Sequence, residues 1–148
     1  MVTEEKSVLR QEIPSGRVLA VRPSGWADLP GFGRPHPGQR SPLKSWHPGL
    51  CLLSEPARGN TVTLAPGSSS KGRYAQKEYF ATKVKLLRDN PFEGQKESYF
   101  FPGERRSVWR NPHNFSTQPH FGDLSKAECR RLEEAVLQYG WEDYFPDV

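Results

Sequence analysis

The sequence predicts a chain that is mostly irregular and extended, with two short α-helices over about 74–88 and 125–139 and no independent large core. Three observations carry that prediction. Only 34% of the 148 residues are hydrophobic, and the mean hydropathy is −0.76. Ordering backbone costs roughly 1–2 kcal/mol per residue, which so little apolar area offsets poorly. Fourteen prolines and 13 glycines interrupt the chain. The aromatic residues between Tyr74 and Phe121 follow no sustained period of 3.6 or 2, so another protein is the natural place to bury them.

Residues 1–70 read as a Pro/Gly-rich, disordered arm. They hold nine prolines and eight glycines but three aromatics, Trp26, Phe32 and Trp46. Each proline removes a backbone donor and restricts the residue before it. Three short apolar clusters, Val18–Val21, Leu50–Leu53 and Thr61–Leu64, have strand-like composition but no evident hairpin partner, and Gly67–Ser70 reads as a flexible linker.

Residues 71–121 form a basic, aromatic-rich binding segment that opens with the first helix. Phe80, Val84 and Leu87 fall at i, i+4 and i+7, Tyr79 and Leu86 broaden the stripe, and Asp89-Asn90-Pro91 stops it. Lys77, Lys83, Lys85 and Arg88 surround the polar side, which serves either as a solvated face or as an anion site. Two Asn-Pro turns follow, Asn90-Pro91-Phe92 and Asn111-Pro112-His113, and each is expected to aim a following aromatic outward. Between them, Arg105, Arg106 and Arg110 flank Trp109, a pairing that suits a local cation–π contact or a binding surface.

Residues 122–148 comprise a capped helix and an acidic aromatic tail. Ser125-Lys126-Ala127-Glu128 is a capping box, and Leu124 is placed to staple onto Cys129. The stripe Cys129, Leu132, Ala135, Val136 and Tyr139 runs up to Gly140, which suits a left-handed C-cap with Trp141 folding back on Val136. The tail WEDYFPDV reads as a docking peptide.

Net charge is +4, made of +3 in residues 1–70, +5 in 71–121 and −4 in 122–148. This permits an anionic partner without demanding one. Two cysteines are too few for a disulfide framework, and Glu4 and Glu5 stand where a secretory or mitochondrial leader needs positive charge. No stretch approaches a membrane span. Catalysis is not expected, because no convergent nucleophile and base emerge and Cys51 near His47 is proximity in sequence only. His36, His47, His113 and His120 lack zinc spacing, and no Gly-rich phosphate loop occurs, so neither metal nor cofactor is expected.

The candidate partner-binding residues are Phe92, Tyr99, Phe100, Phe101, Arg105, Arg106, Trp109, Arg110, Phe115 and Trp141. Asn90-Pro91-Phe92 also resembles the ligand of EH domains, and reads alternatively as a plain helix stop. The texture of Tyr74–Phe121 and of WEDYFPDV is similar to the small microtubule inner proteins of ciliary and sperm-flagellar axonemes. That resemblance implies a non-enzymatic chain laid along doublet microtubules, with tubulin or other axonemal proteins as partners and cytoplasmic, cytoskeletal and axonemal localisation. The second reading is a nuclear RNA or single-stranded-DNA binder, in which aromatics stack on bases while Lys and Arg track phosphates. No membrane or small-molecule substrate is implied.

Overall fold

Val18–Val21, Leu50–Leu52 and Leu64–Ala65 are apolar at consecutive positions, the pattern of strands buried on both faces. In the structure, a computed structural model that describes residues 11–29, 47–56, 60–68, 71–86, 97–115 and 122–141, these runs lie in or beside strands and pair with one another. Strand β1 (Arg17–Val21) lies antiparallel to β2 (His47–Leu50), and β2 lies antiparallel to β3 (Thr61–Ser68). The sheet continues through β4 (Phe80–Lys83), β5 (Lys85–Leu86), β6 (Glu97–Phe100), β7 (Arg106–Trp109) and β8 (Gly122–Asp123). One helix, α1 (Lys126–Tyr139), follows.

Hydrogen bonding runs in the order β4-β6-β3-β2-β1-β8-β5, with β7 also on β3. Every pairing is antiparallel. The two ends of this path, β4 and β5, are separated in the chain by Val84 alone, so the sheet curls until its ends meet. β6 and β7 act as one interrupted partner of β3. Gly67 faces Phe100 and Leu64 faces Arg106, so three residues along β3 match six along the partner. The three left over are the length of the 3₁₀ turn Pro102–Glu104 that bulges between them.

Alternation along the strands feeds a core on each face. Val18, Leu50, Leu52, Ala65, Phe80, Val84 and Phe100 pack with Leu132, Val136 and Trp141 from the α1 region. Leu19, Val21, Cys51, Val62, Leu64 and Phe101 pack on the other face with Trp26, Leu29, Tyr74 and Phe115. The expectation of an irregular chain without a core is therefore corrected. Its physical error was to treat proline and glycine as markers of disorder. Pro66 sits inside β3, and Pro48 and Gly49 sit inside β2, where Gly49 lets Leu64 and Trp26 approach the backbone.

The helix expected over 74–88 is also corrected. Gly72–Tyr74 is a 3₁₀ turn, and Phe80–Lys83 and Lys85–Leu86 are strands. A spacing of i, i+4 fits a strand as well as a helix, because both place the pair on one face. Thr82, the residue midway between Phe80 and Val84, is buried with them, while Lys83 is exposed and Ala81 is half-buried. That is a period of 2, carried by β-branched residues. Leu87, the third member of the expected stripe, lies outside the described residues.

The second helix forms where the capping code placed it. Ser125 Oγ accepts the Glu128 N–H at 3.2 Å, and Gly140 adopts φ 67° while its N–H donates to the Val136 carbonyl. The box is half reciprocal, since the Glu128 carboxylate is turned to Thr82 and Arg131. Leu132 and Val136 are buried, with Cys129 and Ala135 packed beside them, whereas Tyr139 is largely exposed and stacks on Trp141.

The tightest approach in the sheet is Gly67 against the Phe100 ring, where an added Cβ would stand well inside van der Waals contact. Gly67→Ala is expected to destabilise the fold by about 1–3 kcal/mol through overpacking. A urea midpoint within error of the wild type would contradict this packing.

Candidate interaction surface

The sequence-derived anchors divide into two groups once the chain is folded. Phe100, Phe101, Phe115 and Trp141 are buried in the chain's own core, each at most 1% exposed. Phe101 packs against Tyr74 at 5.2 Å between ring centroids, and Trp141 meets Phe80 edge-on and donates its indole N–H to Glu78. The turn at Asn111 forms as its composition implies, with Asn111 Oδ1 accepting from the His113 and Asn114 N–H groups. It nevertheless sends Phe115 inward, because residue 115 bridges back to Val21. Phe92, and with it Asn90-Pro91-Phe92, lies outside the described residues.

The three arginines work within the molecule. Arg105 donates to the Trp141 carbonyl at 3.4 Å, joining the basic segment to the end of the helical one. Arg106 pairs with Asp28 at 3.0 Å and Glu104 at 3.8 Å. Arg110 donates to the carbonyls of Gln11 and Pro56, each at 3.1 Å, and so ties the start of the described chain to the loop after β2. Burial lowers the Arg110 pKa, with Glu55 and Cys51 opposing the shift.

Trp109 stands apart. It is 61% exposed at the end of β7, while Trp26 and Trp141 are at most 1% exposed. Its cross-strand neighbour is Thr61, and the next pair on the same face, Ser107 and Thr63, brings two hydroxyl oxygens within 3.4 Å. The indole thus rises from a polar strip on β7, which pairs with β3 through four residues, and Asn114 Nδ2 and the Asn111 N–H both donate to the Trp109 carbonyl.

Two further places combine accessible polar or aromatic groups. A cleft of about 520 Å³ lies between β4 and the start of α1, lined by Thr82, Lys83, Glu97, Ser125, Glu128 and Arg131. Its centre is internally satisfied: Thr82 Oγ1 donates to Glu128 Oε2 at 2.5 Å, and Arg131 bonds both Glu128 and the Ala81 carbonyl. The other place is a corner made by Tyr79 and Tyr99, whose rings stand 5.5 Å apart at 81°. The Lys71 ammonium sits 4.4 Å from the Tyr79 centroid and 5.4 Å from that of Tyr99. The Tyr79 hydroxyl, as a hydrogen-bond partner, raises the Lys71 pKa above its ordinary value.

Neither thiol is activated. Burial pushes Cys51 up from 9.0 to about 12, with Glu55 adding to the shift. Cys129 is raised as well, first by burial and then by Glu133, Asp123 and Glu128. Among the described residues no group of three His, Cys, Asp or Glu is placed to hold a metal ion, and no helix is long and apolar enough to cross a membrane. No protein-family model matches the chain, and no curated protein matches its sequence.

The buried thiol gives a signed pH dependence. Below about pH 9 both folded and unfolded chains hold the Cys51 proton, and its contribution is constant. Between about 9 and about 12 the unfolded chain releases the proton while the folded chain keeps it, so stability falls as pH rises, by up to about 1.4 kcal/mol per pH unit. Cys51→Ala is expected to remove that component, read as a shrinking gap between the two proteins' unfolding free energies as pH is raised from 8 to 10.5 (roughly the window that linkage defines). A gap independent of pH would contradict it.

Proposed function

We propose that this chain is a non-enzymatic protein-interaction domain that docks through Trp109 and the polar strip around it. The observation that supports this reading is the contrast among the described tryptophans: two fill the core and one is held out on a paired strand. Tryptophan combines a large apolar face with a hydrogen-bonding N–H, and such residues dominate the energetics of protein interfaces. The chain's excess of positive charge suits an acidic partner surface. Axonemal microtubules are the partner we propose, from the textural similarity of the aromatic segment to microtubule inner proteins. Docking would then use a folded face in place of an extended aromatic ribbon, since Phe100, Phe101, Phe115 and Trp141 are already packed inside.

Co-sedimentation of the full chain with salt-washed axonemes tests the proposal. Trp109→Ala is expected to weaken retention by about 30-fold or more, the equivalent of about 2 kcal/mol. Lys77→Ala, which removes an exposed ion pair with Glu104, is expected to change it less than about fivefold. Equal small losses at both positions would remove Trp109 as an anchor. Failure of the wild-type chain to sediment would remove axonemal microtubules as the partner. Steep loss with salt, together with retention on single-stranded RNA, would favour nucleic-acid binding instead.

A further inference from the structure

The Tyr79–Tyr99 corner uses none of the residues of the Trp109 strip, and its contents state its chemistry. Tyr99 sits in β6 and packs, partly buried, against the core that holds Phe101 and Tyr74. Tyr79 immediately precedes β4 and is 37% exposed. The two rings are close to perpendicular, so they present two walls to one volume of space. A positive charge there meets the negative face of a ring, and an ammonium already occupies the place, within 5.4 Å of both centroids. Glu97, on the same strand as Tyr99, adds its negative potential, which helps to raise the Lys71 pKa after the larger effect of Tyr79.

The way Lys71 arrives is as informative as where it ends. It directly precedes the 3₁₀ turn Gly72–Tyr74, and its carbonyl accepts the Tyr74 N–H at 2.8 Å. Tyr74 is fixed by burial against Phe101, so the turn is held at its C-terminal end. At its other end Gly72 has φ 48° and nothing within 4 Å of the position a Cβ would take. The lysine therefore hangs from an open, glycine-bearing turn beside an anchored aromatic pair. A primary ammonium is strongly hydrated, and at this open corner it keeps water on one side while it donates to the Tyr79 hydroxyl. An alkylated ammonium keeps the charge, sheds fewer water hydrogen bonds and adds methyl contact with both faces.

We propose that the Tyr79–Tyr99 corner is a binding site for the methylated ammonium of a lysine side chain on a partner protein, and that Lys71 is its internal occupant in the free chain. A lysine is chosen over other quaternary ammonium carriers because the ammonium seated there is itself that of a lysine. The ligand displaces Lys71 without any bond being made or broken, and the apparent affinity is reduced by the fraction of time that Lys71 fills the corner.

The test is a solution NMR titration of the full chain with free Nε-trimethyl-lysine, following the Tyr79 and Tyr99 ring signals. Wild type is expected to bind weakly. Lys71→Ala is expected to bind about threefold or more tightly, since the competitor is gone. Lys71→Ala combined with Tyr79→Leu, which keeps apolar bulk and removes one π-face, is expected to lose the response, with amide dispersion checking that the fold is retained. The neutral isostere carrying a tert-butyl group in place of the trimethylammonium is expected to leave the ring signals unmoved. Equal binding by that isostere, or no gain on removing Lys71, would overturn the proposal. Tighter binding of choline than of trimethyl-lysine would overturn the assignment to a lysine side chain.

Discussion

Eight consecutive residues, Thr61–Ser68, hydrogen-bond to β2, β6 and β7, and the side chains that alternate along them enter both halves of the core. Val62 and Leu64 point to the face that holds Trp26 and Phe115, while Ala65 points to the face covered by α1. The strand has few alternatives in register. Slipping it by one residue would exchange Thr63 for Leu64 across the sheet and place hydroxyls in one core and leucine beside Trp109 in the other direction. The unpaired stretch of its edge is capped by a side chain, since the Thr63 N–H donates to Glu55 Oε1 at 3.0 Å and Glu55 in turn exchanges backbone hydrogen bonds with Ile13.

That arrangement explains which parts of the fold were legible in the sequence. The α1 helix was, because its signals are local: a serine cap, an apolar stripe and a glycine with positive φ all lie within 16 residues of one another, from Ser125 to Gly140. The strands were legible as short apolar clusters and illegible as a sheet. Val18 pairs with Leu50, and Thr61 with Trp109, across separations that no local pattern encodes. Two-sided burial also erased the alternation by which strands are usually recognised. Phe80 and Val84 share one face in a strand or a helix, and it is the pairing of β4 with β6 and the burial of Thr82 between them that mark the strand.

The same cause governs the candidate surface. Aromatic residues were read as unburied because their spacing looked aperiodic, and Phe100 and Phe101 show why that inference fails. Adjacent residues on a strand point to opposite faces, and here each face has its own core, so both rings are buried at once. Of the aromatic residues named as anchors, Trp109 remains mainly at the surface and Tyr99 remains at a rim, while Phe92 lies outside the described residues. For the arginines the sequence allows a local cation–π contact with Trp109 or a binding surface, and the structure instead pairs Arg106 with Asp28 and Glu104 and bonds Arg110 to the carbonyls of Gln11 and Pro56. The Lys71 corner escaped notice in the sequence because its three members come from a turn, a strand's flank and a separate strand, 28 residues apart at the extremes, Lys71 and Tyr99.

A small chain that covers both faces of a sheet has little apolar material left to display. Helix α1 and the Trp26 segment each take one face, and beside β4 Arg131 donates to the Ala81 carbonyl while Glu128 accepts from the Thr82 hydroxyl. Surface chemistry then concentrates where covering stops: at Trp109, beyond the end of the helix-covered core, and at Tyr79 and Tyr99, on the rim of the other one. Next to Trp109 the strand is anchored by Val108, whose side chain enters the core on the opposite face, and Tyr99 packs against the core that holds Phe101 and Tyr74. A side chain held beside such a core surrenders less conformational entropy on contact than one on a mobile loop.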